Sequence, residues 1–433
     1  MRHLKLYAYF FILFFFYQPL SIIAQDDEAT IKKIFDEVLS NDFCYENLRY
    51  LTNEIGGRLS GSPQAASAVE WAKQVMEAYA FDTVFLQEVM VPHWVRGEKE
   101  IGRIVDSKKM GSLPVSICAL GNSVGTGASG VLANVVEVKD FDELKALGKS
   151  NVEGKIVFFN RPMDPTIIKT FLAYGKAVNQ RGSGPSEAAK YGAIGVVVRS
   201  VTTSIDDFPH TGSLRYALNV PQIPAVAIST KDANLLSKLL KDDNNLKFYF
   251  ETHCEMKEDK LSYNVVGQLN GSEFPNEYIA VGGHLDSWDL AQGAHDDGTG
   301  CVQSIEVLRT YKALNIEPKR TIRAVMFMNE ENGLRGGRKY AELAKENNEK
   351  HLAAMESDSG GFTPKGFSID ANDKILKKIA TWKGLFQPYQ IFEFEKGSGG
   401  ADISPLKAQD VTLIGFRPDS QRYFDYHHTA IDT

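Results

Sequence analysis

From about Leu261 onward the chain alternates long apolar runs with amphipathic stretches, and this constrains its fold more than any other feature. Tyr278 to Val281 and Thr321 to Met328 read as buried strands, while Gly300 to Leu314 and Leu334 to Ala344 carry apolar residues at helical spacing. Two more strand-like runs follow, Leu352 to Glu356 and Val411 to Phe416. Strands separated by helices in this way predict an α/β fold, a mainly parallel mixed sheet covered by helices on both faces. Ligands of such sheets sit beyond the carboxyl ends of the strands.

Upstream, Glu28 to Leu39 and Gln64 to Tyr79 read as helices and Thr83 to Val89 as a strand. Gly56 to Pro63 reads as a turn between the helices, with Ser62 placed to cap the second. A second unit begins near Gly125. Strands at Gly130 to Val138, Lys155 to Phe159, Ile194 to Val198 and Ile223 to Ile228 alternate there with helices at Phe141 to Leu147, Ser186 to Tyr191 and Asp232 to Leu240. This predicts a compact α/β insert without an evident catalytic set. At 433 residues, 43% of them hydrophobic and 24% charged, the chain is long enough for two or three domains. The expected division is a leader over 1–25, a main domain over 26–124 and 251–433, and the insert over 125–250.

The leader reading rests on Arg2, His3 and Lys5 before an apolar stretch from Leu6 to Leu20, with small residues Ser21 and Ala24 after it. Export to the periplasm, cell surface or medium follows, with no stable membrane insertion once the leader is removed. The alternative, an uncleaved anchor, is short of the roughly 20 apolar residues that a span needs. A net charge of -7 offers no basic field for nucleic acid. Cys44, Cys118, Cys254 and Cys301 form no C-x-x-C pair; three disulfide pairings or none are open, and Cys301 reads as a packed thiol beside Ile305 and Leu308.

The chemistry gathers at strand ends. The first strand runs out at Gly282-Gly283 into His284-Leu285-Asp286, and His295-Asp296-Asp297-Gly298 precedes the next helix. Asn329-Glu330-Glu331 ends the following strand, Asp358 the one after it, and Tyr426-His427-His428 follows the last. Each piece alone has a plain structural explanation, since Asp286 can cap and Asp296-Asp297 can favour a helix N-terminus. Four strand ends converging on carboxylates and histidines do not, because burying that much negative charge is costly unless cations neutralise it. Imidazole nitrogen with carboxylate oxygen suits zinc, and a shared carboxylate suits two ions that acidify a water and polarise a carbonyl.

These residues resemble the dinuclear zinc aminopeptidases of peptidase family M28, and within it the carboxypeptidase Q branch of exported dipeptidases. The resemblance covers most of the mature chain and rests on His284-Leu-Asp286, Asp296-Asp297-Gly298, Asn329-Glu330-Glu331, Asp358 and His428-Thr-Ala-Ile-Asp432-Thr433. It implies His284 and Asp358 as ligands of one zinc, Glu331 and His428 of a second, and Asp296 as a bridge, joined to Asp297 by a cis peptide. Glu330 is the implied general base and Asp286 the residue that orients His284. The insert, with Gly154-Lys-Ile-Val157 and Gly192-Ala-Ile-Gly-Val196, is similar to the branch's protease-associated domain, implied to wall the cleft and limit substrate size. Gly399-Gly400-Ala401-Asp402-Ile403 resembles a substrate-lining Ser-Asp-His loop with its serine and histidine missing, which makes Asp402 a candidate substrate contact.

His427 stands where simple aminopeptidases of the family carry a tyrosine, and the paired histidine is similar to the dipeptidase branch. His427 is therefore a second candidate substrate contact, with packing as the alternative; His295 reads as packing. The chain ends at Thr433, where the branch continues into a further helix. An inactive peptide-binding relative would have lost ligands, and a glutaminyl cyclase would hold one zinc; the full set favours a two-zinc peptidase. Between dipeptidase and aminopeptidase, the paired histidines and the insert favour dipeptides or short peptides with free termini. A homodimer is left open, and Asn270-Gly-Ser272 fits a glycosylation acceptor in a eukaryotic secretory host.

Overall fold

The computed structural model describes residues 18–433, with side chains from Asp27 onward; residues 1–17 of the expected leader lie outside that range. Among the described residues no helix is long and apolar enough to cross a membrane. After two N-terminal helices, Gln18–Leu39 and Phe43–Tyr50, Ser62 caps the helix Pro63–Ala78 by accepting from the Ala65 amide at 3.0 Å.

Strand β1 (Thr83–Val95) leads into eight strands of a second sheet: β2 (Ile101–Ser107), β3 (Gly111–Val115), β4 (Ile117–Ala119), β5 (Val131–Val138), β6 (Ile156–Phe159), β7 (Gly195–Arg199), β8 (Ala225–Ile228) and β9 (Lys247–Glu251). The chain returns to the first sheet through β10 (Glu255–Leu269), β11 (Phe274–His284), β12 (Arg320–Phe327), β13 (Lys350–Glu356), β14 (Pro364–Asp370), β15 (Glu393–Lys396) and β16 (Thr412–Pro418). The first sheet has the order β1-β10-β12-β11-β13-β16-β14-β15. Its four central strands, β12, β11, β13 and β16, run parallel between antiparallel β10 and β14.

Side-chain alternation sorts the core of this sheet into two layers. Val265 and Met326 face the helices Pro63–Ala78 and Thr299–Ala313, packing with Trp71, Met76, Cys301, Ile305 and Leu308. Val266, Val325 and Phe327 face the helix Arg335–Glu346, packing with Tyr340, Ala341 and Ala344. A sheet buried on both faces explains why Thr321 to Phe327 is buried without a break. Cys301 is in this core, and all four cysteines are free thiols.

The second sheet, ordered β3-β2-β9-β5-β6-β7-β8-β4, is built from the stretch of chain between β1 and β10 that includes the expected insert. Its parallel interior strands β6, β7 and β8 are buried at every residue. It starts earlier than the expected Gly125: Ile101 of β2 already pairs with Glu251 of β9. The edge strands β2 and β3 alternate exposed with buried residues and carry little apolar signal, so the Gly-rich stretch near Gly125 looked like a boundary when it is a link inside the unit. Leu59, Trp94, Ala119, Cys254 and Trp288 form an apolar cluster where the insert meets the first sheet.

Candidate metal centre

The parallel register brings the predicted site together. Gly282 of β11 pairs with Glu356 of β13, which pairs with Gly415 of β16, so these strands end side by side with β12. His284 closes β11, Glu330 and Glu331 follow β12, Asp358 follows β13, and His427 and His428 follow β16 after the short helix Tyr423–Tyr426. Asp296, in a cis peptide with Asp297, lies just before the helix Thr299–Ala313.

Asp296 stands between two donor groups. Its Oδ1 is 3.2 Å from His284 Nε2, and its Oδ2 is 3.2 Å from His428 Nε2. Asp358 Oδ1 lies 3.7 Å from the same His284 nitrogen, and Glu331 Oε2 lies 3.1 Å from that of His428. These five side chains therefore meet, His284 with Asp358 on one side of Asp296 and His428 with Glu331 on the other. His427 joins them rather than standing apart at a substrate wall: its ring stacks on His428 with centroids 3.5 Å apart, and its Nε2 is 3.7 Å from Asp296 Oδ2. Asp296, His427 and His428 alone could hold an ion, as could His284, Asp296 and Asp358.

The scaffold around these side chains is polar and tightly bonded. His284 Nδ1 meets Asp286 at 2.8 Å through the main-chain carbonyl of that residue and not through its carboxylate. The Asp286 carboxylate instead accepts from the amides of Asn329 at 2.6 Å and Glu330 at 3.1 Å, which pins the turn that presents Glu330 and Glu331. Asp297 accepts from the amides of His284 and Gly300, and Asp432 from those of His295 and Asp296. Fully buried Arg58 donates to the carbonyls of Leu285, Gln292 and Gly293 and so holds the loop between β11 and Asp296.

Buried carboxylates dominate the electrostatics of the site. Burial opposes a charge on His284, yet Asp296 and Asp358 outweigh it and raise the imidazole well above its usual range. Burial likewise opposes His428, but Glu331 and Asp296 lift it to about 9. Burial pushes Glu331 up to about 7, with Asp296 adding to it, and burial pushes Glu330 well above the carboxylate range, with Asp358, Glu331 and Asp296 adding to it. The two histidines thus hold Asp296 far below that range against its burial, while the glutamates around it are driven toward neutrality. Divalent cations among these oxygen and nitrogen donors would relieve that excess, and the donor set fits zinc.

Two expectations change. Asp402 is 1% exposed, with neither carboxylate oxygen hydrogen-bonded, and neighbours Glu356, whose carboxylate accepts from the Ala401 and Ile403 amides. Burial, then Glu356, push Asp402 well above the carboxylate range; it is an interior group and not a wall residue. His295 stacks flat on Phe362 at 4.4 Å, as packing predicts. The insert, read as chemically silent, contributes Tyr174, Arg181, His210 and Thr211 to the surroundings of His427 and His428. Tyr174 and Arg181 stand on short helices and His210 and Thr211 on an irregular stretch, and none carries a spacing signal that could have announced it.

Fold and donor set together define the class, a zinc metallopeptidase on a parallel α/β sheet. The model of "Peptidase family M28" matches residues 264–433. Carboxypeptidase Q of Bos taurus is 36% identical over 389 residues, 90% of this chain and 80% of the relative, and that of Homo sapiens is 34% identical over the same shares. The crystal structure of a peptidase M28 precursor from Shewanella amazonensis aligns with a TM-score of 0.89 at 33% identity, covering 94% of this chain and 91% of that one. A zinc aminopeptidase from Bacillus subtilis shares the fold, with a TM-score of 0.65 at 18% identity over 90% of this chain and 89% of the other. This chain belongs to peptidase family M28, in its carboxypeptidase Q branch.

Proposed function

We propose that the chain is an exported di-zinc exopeptidase that hydrolyses dipeptides or short peptides with free termini. The observation that carries this reading is the posture of Asp296, with one carboxylate oxygen 3.2 Å from each of His284 and His428. In this reading His284 and Asp358 would hold one ion and Glu331 and His428 the other, with Asp296 offering an oxygen to each. Two zinc ions held there would supply an acidified water and a polarised scissile carbonyl.

Glu330 takes the proton from the attacking water and passes it to the leaving amine. Its half-buried carboxyl is raised by burial and by neighbouring carboxylates, which strengthens it as a base. Asp286 fixes the backbone on which Glu330 stands. The insert, in the role of a protease-associated domain, closes the cleft from the side of His427 and limits substrate length. The leader over residues 1–25 supports export to periplasm, cell surface or medium. A broader aminopeptidase is the second reading, supported by the fold shared with the Bacillus subtilis enzyme.

Hydrolysis of unblocked dipeptides, N-blocked dipeptides and aminoacyl amides separates the two. Zinc-dependent cleavage confined to unblocked dipeptides, lost in Glu330→Gln and after chelation, is the expected result. Equal cleavage of the amides transfers the assignment to aminopeptidase. A zinc-loaded protein that cleaves none of them ends the peptidase reading for these substrates.

A further inference from the structure

The metal centre is completed from outside its own sheet. Thr211, on the insert segment between β7 and β8, meets His428 at two points. Its amide donates to the His428 carbonyl at 3.0 Å, and its carbonyl lies 3.2 Å from His428 Nδ1. His428 has a φ of 63°, in the left-handed region that a β-carbon resists, so its backbone is held there by contacts such as these and not by local preference.

Arg181 holds the Thr211 carbonyl in turn. Its Nη1 donates to that carbonyl at 3.2 Å and its Nη2 to the Tyr174 hydroxyl at 2.6 Å. Gly212, next to Thr211, has a φ of 132°, and a Cβ there would stand 2.3 Å from Arg181 Cζ. The glycine therefore makes room for the guanidinium.

Arginine can only donate, and its Nη1 also lies 3.4 Å from His428 Nδ1. A bare Nδ1 would draw that donor and leave the ring proton on Nε2, the nitrogen that faces Asp296 and Glu331. An Nδ1–H directed at Thr211 leaves Nε2 bare instead. We propose that Arg181 is a positioning residue for His428: by fixing the Thr211 carbonyl as the acceptor of Nδ1–H, it keeps Nε2 free as a metal donor. The insert then completes one metal site and not the other, because His284 takes its outer contact from the Asp286 carbonyl in its own domain.

The assignment rests on the two-ion reading, and titration of the metal-free full chain with Co²⁺, followed by visible absorption, tests both. Wild type is expected to take up two ions, and His428→Ala identifies the step that belongs to His428. Arg181→Met is expected to weaken that step about 10- to 100-fold and leave the other unchanged. Removal of a positive charge alone would tighten cation binding, so weakening reports positioning and not charge. Arg181→Lys, which keeps the charge without the fork, falls between, and Gly212→Ala, which displaces the guanidinium, behaves as Arg181→Met. An unchanged or tightened His428 step overturns the assignment, as does equal weakening of both steps with a matching fall in Tm. A wild-type chain that binds a single ion overturns the two-ion reading itself.

Discussion

Asp296 is faced by imidazoles on both oxygens, His284 on Oδ1 and His428, with His427 farther off at 3.7 Å, on Oδ2. Asp296→Ala is accordingly expected to lower bound zinc from about two ions per chain to about none, read by elemental analysis of the purified protein. Glu330→Gln should retain its zinc and lose about 10²- to 10⁴-fold in kcat, since it removes the proton acceptor and leaves the donors in place. Asp286→Ala distinguishes carbonyl from carboxylate: with His284 held by the main chain, kcat should fall about tenfold or more while zinc affinity stays within a few-fold. A collapse of zinc binding in that variant would return the orienting role to the carboxylate. At this scale the side chains that gather around Asp296 were legible, because strand ends and short motifs announce them. The groups that orient them were not, since a main-chain carbonyl has no letter of its own and Arg58, Arg181 and Thr211 reach the site only through tertiary folding.

Elements with strong periodicity stood out, and those whose pattern is set by one face or by an edge did not. The helix Phe141–Leu147 matches its expected bounds, and β12 lies within one residue of its own. By contrast, the first half of β10, Glu255 to Lys260, is exposed and charged, yet it is a strand because it pairs with β1 as far as Val95. No apolar count finds such a strand; its partner makes it. The cap read from Ser62 before Pro63 is present, and Ser62→Ala is expected to cost about 1 kcal/mol, measurable as a lowered denaturant midpoint at unchanged slope.

For the whole molecule, pH enters through buried histidine as well as through the active site. His351 is 6% exposed beneath the helix Arg335–Glu346, its Nε2 is 2.8 Å from the Tyr340 hydroxyl, and burial lowers it from 6.5 to about 4, with Arg323 adding to the shift. The unfolded chain therefore binds the extra proton between those values. The stability due to this group is complete above pH 6.5 and is lost progressively as pH falls to about 4. Thermal scans across that window should show a shallower loss of Tm in His351→Gln than in the parent chain; parallel slopes would assign the acid sensitivity elsewhere. Two sets of strands were legible in the sequence, but the seam between the two sheets was not, because β1 and β10 lie together in space while about 160 residues of sequence separate Val95 from Glu255. Val95 and Glu255 face each other as the last rungs of that ladder, so everything between them occupies the place of a hairpin turn. A stretch with both ends tied at one point can shift as a body without re-threading the first sheet, so the contacts that steady His428 hang from a single two-strand anchor.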